Sequence, residues 1–107
     1  MNIDLSNRSA IVTGSTRGIG RAIAQLLSDS GANVAIVGRD PSTAEVVAST
    51  MRSARGFGCD ITDSAAVGSL VEEVEKAFGG VGILVNNAGI TRDNLLMRLK
   101  DEDWDAV

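Results

Sequence analysis

Three glycines follow a short apolar segment at the spacing G-x-x-x-G-x-G, which suits the binding of a dinucleotide pyrophosphate. Gly14 can turn the chain without a Cβ clash, Gly18 lets the backbone approach a phosphate, and Gly20 lets a helix pack closely on the preceding strand. The N–H groups and the positive dipole end of that helix then face the anion. The alternative is a purely structural turn, but an apolar strand before it and an amphipathic helix behind it favour the nucleotide site.

The end of the second apolar segment indicates which dinucleotide is preferred. NAD-preferring folds place an acidic residue there, which accepts hydrogen bonds from the ribose 2′-OH. This chain has Val37-Gly38-Arg39 instead, so that Gly38 leaves room for a 2′-phosphate and Arg39 can pair with it. Arg17 adds a second cation, and together they predict NADP(H). In the alternative, Arg39 is solvated and Asp40 bonds the ribose, but Asp40 is well placed to cap a helix.

Other residue types that carry out chemistry are scarce. The 107 residues include no histidine, no tyrosine and a single cysteine, Cys59. Because no histidine is present to activate it, Cys59 is interpreted as a buried strand residue. The sequence therefore predicts no catalytic residue and no metal site.

The composition also limits location and partners. A net charge of −4 argues against nucleic-acid binding, which needs a basic surface. No apolar run is long enough to span a bilayer, and the first residues lack the pattern of a signal peptide. A lone cysteine excludes an internal disulfide and fits a reducing compartment, so the default expectation is a cytoplasmic protein with no membrane partner.

Apolar periodicity alternates between strand-like and helical patterns along the chain. Strands are predicted at 9–13, 33–37, 56–59 and 81–85, and helices at 18–30, after Asp40-Pro41, and from the capping candidates Thr62 and Asp63 to Gly79. This alternation implies right-handed βαβ crossovers. The predicted fold is the first half of an α/β Rossmann-type doubly wound parallel sheet, with strand order 3-2-1-4 and a ligand crevice at the carboxyl ends of the strands.

Two predicted helices have apolar faces that are expected to pack on the sheet. On the first helix these residues are Ile19, Ala22, Ile23, Leu26 and Leu27. On the third they are Val67, Leu70, Val71, Val74 and Phe78.

In order and spacing, these motifs resemble the short-chain dehydrogenase/reductase family. The glycine turn, Asp60 at the end of the third strand and Asn86-Asn87-Ala88-Gly89 match the family pattern over essentially the whole chain. The segment from Asn87 to Arg98, followed by Trp104, is similar to the 3-oxoacyl-[acyl-carrier-protein] reductase branch. That resemblance implies NADPH-dependent reduction of a β-keto acyl chain on acyl carrier protein in fatty acid biosynthesis, and a homotetramer at full length.

The resemblance also implies a set of cofactor contacts. The pyrophosphate turn would supply Ser15, Thr16, Arg17, Ile19 and Gly20, and Arg39 would contact the adenosine phosphate. Asp60 would hydrogen-bond the adenine edge beside the Ile61 backbone. Asn86 would help to hold the central strands, and the ribose and nicotinamide side would be contacted by Asn87, Ala88 and Gly89. A hydrogen-bonded turn without a ligand is the alternative for the asparagines.

Proton delivery in this family uses a tyrosine, a lysine, a serine and an asparagine, which the resemblance places beyond Val107. Residues 1–107 are therefore expected to be the N-terminal, incomplete portion of an NADP-binding Rossmann domain, truncated before its catalytic half. The fourth strand is then expected to expose an apolar edge that is prone to self-pairing. There are two alternatives to the reduction of a 3-oxoacyl chain: a non-catalytic NADP-binding fragment, and a short-chain dehydrogenase that acts on another carbonyl or alcohol. Extended-family epimerases and dehydratases are disfavoured by the glycine spacing.

Overall fold

The computed structural model describes residues 5–86 and 96–99, in which strands and helices alternate as far as the fourth strand. The elements are β1 (Ser9–Thr13), α1 (Gly18–Asp29), β2 (Asn33–Gly38), α2 (Pro41–Ala48), β3 (Ala54–Gly58), α3 (Ser64–Phe78), β4 (Ile83–Asn86) and β5 (Leu96–Leu99). The sheet order is β3-β2-β1-β4-β5, and the pairs among the first four strands are parallel. The predicted Rossmann-type α/β fold with order 3-2-1-4 is confirmed.

The fifth strand is a correction to the sequence prediction. β5 runs antiparallel to β4, with Ile83 opposite Leu99 and Asn86 opposite Leu96. The expectation of an open edge on β4 is therefore wrong, because β5 supplies its hydrogen-bonding partners. An antiparallel neighbour needs no helical crossover, so the alternating pattern that marks the other strands carried no signal for it. The acidic residues that follow Lys100 (Asp101, Glu102 and Asp103) also predict the start of a helix, which lies outside the described residues.

The sheet is covered on both faces, because alternate residues of each strand point to opposite sides. On one face, Val12 and Ile36 belong to a buried cluster with residues of α1 and α2. On the other face, Ile11 and Val37 pack with Leu70 and Val74 of α3, which confirms those two predicted core residues. No helix within 5–86 is both long and apolar enough to cross a membrane.

The buried face of α1 differs from the predicted one. Its fully buried residues are the small ones at four-residue intervals, Gly20, Ala24 and Ser28. Ile19 and Leu26 are 66% and 60% exposed, and Ala22 is exposed as well; for these three the prediction is wrong. Small side chains let the helix approach the sheet closely, which leaves the larger residues beside the contact rather than in it. Ile23 and Leu27, also predicted, are partly buried against the core.

β3 begins two residues earlier than predicted and ends at Gly58 rather than Cys59. Its glycines are required for packing, because a Cβ at Gly56 would collide with the backbone N of Glu45 and lie 2.5 Å from the carbonyl carbon of Ala44. The N–H of Gly56 also donates to Glu45 Oε2 at 2.9 Å. Helix α2 therefore sits directly on β3.

Gly56→Ala is expected to destabilise the fold by about 3 kcal/mol, the upper range for overpacking a site, because α2 would have to move. Gly68→Ala is the matched control, since a Cβ there meets nothing within 4 Å on an exposed turn of α3. That change is expected to stabilise the protein by about 0.5–1 kcal/mol, the usual gain of alanine over glycine in a helix. Thermal unfolding followed by circular dichroism measures both, and equal melting temperatures for the two variants would contradict the packing argument.

Candidate cofactor-binding site

The carboxyl ends of β1, β2 and β3 open into one pocket of about 300 Å³. The residues that line it come from the glycine turn, the end of β2 and the segment after β3: Gly14, Thr16, Arg17, Val37, Gly38, Arg39, Cys59, Ile61 and Thr62. Segments far apart in sequence meet here because the strands are parallel and each ends at the same edge. Five of the residues predicted as cofactor contacts are therefore gathered at one site: Gly14, Thr16, Arg17, Arg39 and Ile61.

The glycine turn has the backbone conformation that glycine favours. Gly14 and Gly18 have φ angles of 61° and 62°, in the left-handed region. A Cβ at Gly18 would meet nothing within 4 Å, so the protein leaves open space at this point. The turn leads directly into α1, which begins at Gly18.

The first turn of α1 lacks the side-chain cap that the other two helices have. Asp40 caps α2 by accepting from the Ser42 N–H at 2.8 Å, and Asp63 caps α3. The residue before α1, Arg17, is extended and caps nothing with its side chain, and no acidic residue stands in the first helical turn. An uncapped helix N-terminus beside a glycine turn fits a pyrophosphate, because its N–H groups and positive dipole end favour an anion.

The predicted capping role of Asp40 is confirmed by its bond to the Ser42 N–H. The second carboxylate oxygen of Asp40 also accepts from the Thr43 hydroxyl at 3.2 Å. Two exposed cations, Arg17 and Arg39, line the pocket together with Gly38. A Cβ on Gly38 would lie 2.7 Å from Thr16 Cγ2, so a larger residue at position 38 would require Thr16 to move. Asp40 is thus occupied at the start of α2, and the guanidinium groups of Arg17 and Arg39 are cations of this pocket that could hold an anion.

The carboxylate of Asp60 is held in place by the residue two positions later. Asp60 Oδ1 accepts from the Thr62 hydroxyl at 2.6 Å and from the Thr62 N–H at 3.0 Å. These bonds lower the pKa of Asp60, the hydroxyl more than the N–H, and the positive charge of Arg39 lowers the pKa further. Asp60 therefore presents an oriented, ionised carboxylate next to the pocket.

Thr62→Val is expected to raise the pKa of Asp60 toward its ordinary value, because the hydroxyl bond is the largest cause of the shift. The lowered pKa contributes stability at pH values above the pKa of the unfolded chain, and that contribution is lost as pH falls through the folded-state pKa. In the variant, the free energy of unfolding should therefore depend less on pH in the acid range. A carbon-detected NMR titration of the Asp60 carboxyl measures the change. Thr50→Val is the control, because its hydroxyl donates to Val47 O instead; an equal shift of Asp60 in both variants would contradict the assignment.

Cys59 lies at the base of the pocket as a buried free thiol, as predicted, although it follows β3 rather than belonging to it. Its N–H donates to Gly38 O at 2.9 Å, which ties the end of β3 to the end of β2. Burial raises the pKa of the thiol, and the negative charges of Asp60, Asp63 and Glu73 raise it further. The thiol therefore stays protonated and unreactive near neutral pH.

Asn86 ends β4 close to the same edge. Its Oδ1 accepts from the Thr13 hydroxyl at 3.3 Å, a contact that joins the two central strands β4 and β1. This agrees with the role that the resemblance implied for Asn86. The predicted contacts Asn87, Ala88 and Gly89 lie outside the described residues. Within 5–86 and 96–99, no group of three or more His, Cys, Asp or Glu side chains is placed to hold a metal ion.

The family model for short chain dehydrogenase matches residues 8–107. The chain belongs to the short-chain dehydrogenase family. Among curated proteins, this short-chain dehydrogenase is 48% identical over 101 residues to the 3-oxoacyl-[acyl-carrier-protein] reductase FabG of Haemophilus influenzae, covering 94% of the chain and 42% of that protein. It is 43% identical over 106 residues to FabG of Escherichia coli, covering 98% of the chain and 43% of the relative.

A solved structure shows the same architecture. The crystal structure of a hydroxysteroid dehydrogenase from Escherichia coli superposes with a TM-score of 0.77 at 34% identity, covering 82% of this chain and 38% of that one. This short-chain dehydrogenase thus spans about two fifths of the length of the curated relatives it matches. The resemblance to the FabG branch is confirmed at the level of sequence.

Sequence reasoning missed one residue of the pocket that has a defined task. Thr62 was considered only as a helix cap, but the cap of α3 is Asp63, which accepts from the N–H groups of Ala65 and Ala66. Thr62 instead fixes Asp60 and lines the pocket. The spacing Asp-x-Thr was the available signal, because an aspartate commonly bonds the backbone two residues later in a turn.

Proposed function

We propose that this chain forms the NADP(H)-binding part of a reductase that converts a 3-oxoacyl thioester on acyl carrier protein to the 3-hydroxyacyl form. One observation carries the cofactor assignment: Arg17 and Arg39 line a single pocket together with Gly38, next to an uncapped helix N-terminus. The substrate assignment is supported by the 48% and 43% identity to proteins named for that reaction.

Each part of the proposed site has a physical task. The backbone at residues 16–20, where the glycine turn enters α1, would bind the pyrophosphate, and the side chains of Arg17 and Arg39 would pair with the 2′-phosphate. Asp60 would accept from the adenine edge beside Ile61, with its carboxylate held ready by Thr62. When bound, the nicotinamide supplies the hydride that reduces the keto carbon.

The residues proposed for the ribose and nicotinamide side are Asn87, Ala88 and Gly89, and they remain predictions. No catalytic residue is assigned, because the chain contains no tyrosine and the family resemblance implies a tyrosine and a lysine for proton delivery. The 107 residues are proposed to be the N-terminal portion of the dinucleotide-binding domain. For the whole protein we propose a cytoplasmic homotetramer.

The reaction is tested with the intact protein by following the oxidation of NADPH spectrophotometrically. A 3-oxoacyl thioester carried on acyl carrier protein is expected to be reduced with a higher kcat/KM than a simple ketone of equal chain length. Equal values would favour a short-chain dehydrogenase acting on another carbonyl. The absence of tyrosine supports a second candidate, a module that binds NADP(H) without turnover. Residues 1–107 alone are expected to behave in that way, with ligand binding detected by calorimetry and no NADPH consumed.

A further inference from the structure

One buried serine attaches the glycine turn to the end of β2. Ser15 Oγ accepts from the Val37 N–H at 2.7 Å, and the Ser15 N–H donates to Val37 O at 3.1 Å. Ser15 is completely buried, and Val37 is as well. Both the backbone N–H and the side-chain oxygen of Ser15 are therefore engaged with β2, although the resemblance implied a contact with the pyrophosphate.

Thr16, the next residue, adds a second contact between the glycine turn and the end of β2. Thr16 lies over Gly38 so closely that a Cβ on Gly38 would come 2.7 Å from Thr16 Cγ2. Two consecutive turn residues thus contact two consecutive residues at the end of β2. We call this group of four residues the clasp: Ser15, Thr16, Val37 and Gly38.

Each half of the clasp is followed directly in sequence by one of the two cations of the pocket. Arg17 follows Ser15 by two residues, and Arg39 follows Val37 by two residues. Both arginines line the same pocket, and both are exposed. Buried hydrogen bonds between residues 22 positions apart in sequence therefore join the two backbone segments that carry these arginines.

We propose that Ser15 is a positioning residue that sets selectivity for the 2′-phosphate without touching it. Charge-assisted hydrogen bonds depend strongly on geometry, so the two arginines favour a 2′-phosphate only while the clasp holds their backbones in register. The inference rests on the proposed NADP(H) site and deepens it. It assigns selectivity partly to a residue whose polar groups are turned toward the core of the protein.

The test compares two ligands that differ only by the 2′-phosphate, 2′-phospho-ADP-ribose and ADP-ribose, titrated calorimetrically into the intact protein. Ser15→Ala removes the acceptor of the Val37 N–H. The ratio of the two dissociation constants is expected to fall by about tenfold, the loss expected when one charge-assisted bond is misplaced. Affinity for ADP-ribose should stay close to that of the wild type. An equal loss for both ligands would identify Ser15 as a direct pyrophosphate contact and overturn the proposal.

Ser28→Ala is the matched control. Ser28 is also a buried serine, and its Oγ accepts from the Ser53 N–H at 3.3 Å near the opposite end of α1. Its replacement is expected to lower the melting temperature as Ser15→Ala does, without changing the selectivity ratio. A similar drop in selectivity for Ser28→Ala would show that general destabilisation, and not the clasp, is responsible.

A second pair of variants tests the clasp from its other side if Ser15→Ala does not fold. Gly38→Ala places a methyl against Thr16 Cγ2 and is expected to reduce selectivity, and adding Thr16→Ser removes the opposing methyl and is expected to restore it. Failure of the double variant to recover would mean that the methyl blocks the 2′-phosphate directly, which overturns the proposal.

Failure of the proposed function and failure of the positioning role give different results. A wild-type protein with no preference between the two ligands would refute both NADP(H) selectivity and the positioning role of Ser15. If Arg39→Ala abolishes the preference while Ser15→Ala and Gly38→Ala leave it intact, only the positioning role falls.

Discussion

Arg39→Ala is expected to weaken binding of 2′-phospho-ADP-ribose by roughly 10- to 100-fold, because hydrogen bonds between charged partners are the strongest that the pocket offers. Binding of ADP-ribose should change little, since that ligand lacks the 2′-phosphate, and the charge of Arg39 is the weakest of the causes that lower the pKa of Asp60. Isothermal titration calorimetry of the intact protein with both ligands measures the effect. Wild type and variant with the same selectivity would contradict the role of Arg39.

The matched control is Arg55→Ala. Arg55 is also an exposed arginine, but it belongs to β3 and lies over the ring of Phe57, with 6.0 Å between the guanidinium carbon and the ring centroid. Both variants remove one positive charge from a chain whose net charge is −4, so a general charge effect would appear in both. Only the Arg39 variant is expected to lose selectivity.

Salt provides an independent check of the same prediction. Arg17 and Arg39 are both exposed, and screening between exposed charges increases as the Debye length falls from about 30 Å at 0.01 M to about 3 Å at 1 M ionic strength. The wild-type preference for the 2′-phosphorylated ligand should therefore shrink as salt is raised. In Arg39→Ala the dependence should be weaker, because one of the two cations is missing.

Gly18→Ala is expected to weaken both ligands together by roughly 100-fold, because it acts on the pyrophosphate and not on the 2′-phosphate. Gly18 has a φ of 62°, where a residue with a Cβ is strained by about 1–2 kcal/mol. The added methyl also projects into the open space beside the first turn of α1, where the anion would have to approach. The ratio of the two affinities should be preserved, unlike in Arg39→Ala.

Gly79→Ala is the control that distinguishes the effect of backbone strain from the effect on ligand binding in Gly18→Ala. Gly79 has a φ of 83°, and a Cβ there also meets nothing within 4 Å, but it ends α3 away from the pocket. The two variants are expected to lose similar stability in thermal unfolding, while Gly79→Ala keeps wild-type affinity for both ligands. If Gly18→Ala also kept that affinity, the pyrophosphate could not bind at the glycine turn, and the cofactor assignment would fail.

Local patterns were sufficient for most of the architecture. Each of β1, β2 and β4 contains a run of apolar residues, and each of α1 and α3 shows helical spacing, so their existence and order followed from periodicity. β3 was the least regular strand, since two of its five residues are glycines that serve the approach of α2. Its boundaries were accordingly misplaced.

The predictions that failed concern which surfaces meet. The apolar residues of α1 extend around much of the helix, and periodicity could not tell that Ala24 would touch the sheet while Leu26 would not. The antiparallel pairing of β5 with β4 is likewise a long-range contact. Such choices depend on how closely two elements can approach, which is a property of both partners and not of either segment alone.

The same division holds at the site. The residue types, three glycines in a turn and the arginines Arg17 and Arg39, are local facts of the chain, and the proposal of an anionic, 2′-phosphorylated ligand rests on them. The contacts of Ser15 with Val37 and of Thr16 with Gly38 form only when the chain folds. The bond between Asp60 and Thr62 is local, and its spacing was visible in the sequence. Hydrogen bonds and close contacts need atoms placed within a few tenths of an ångström, and for residues on different strands that placement exists only once the parallel sheet has formed.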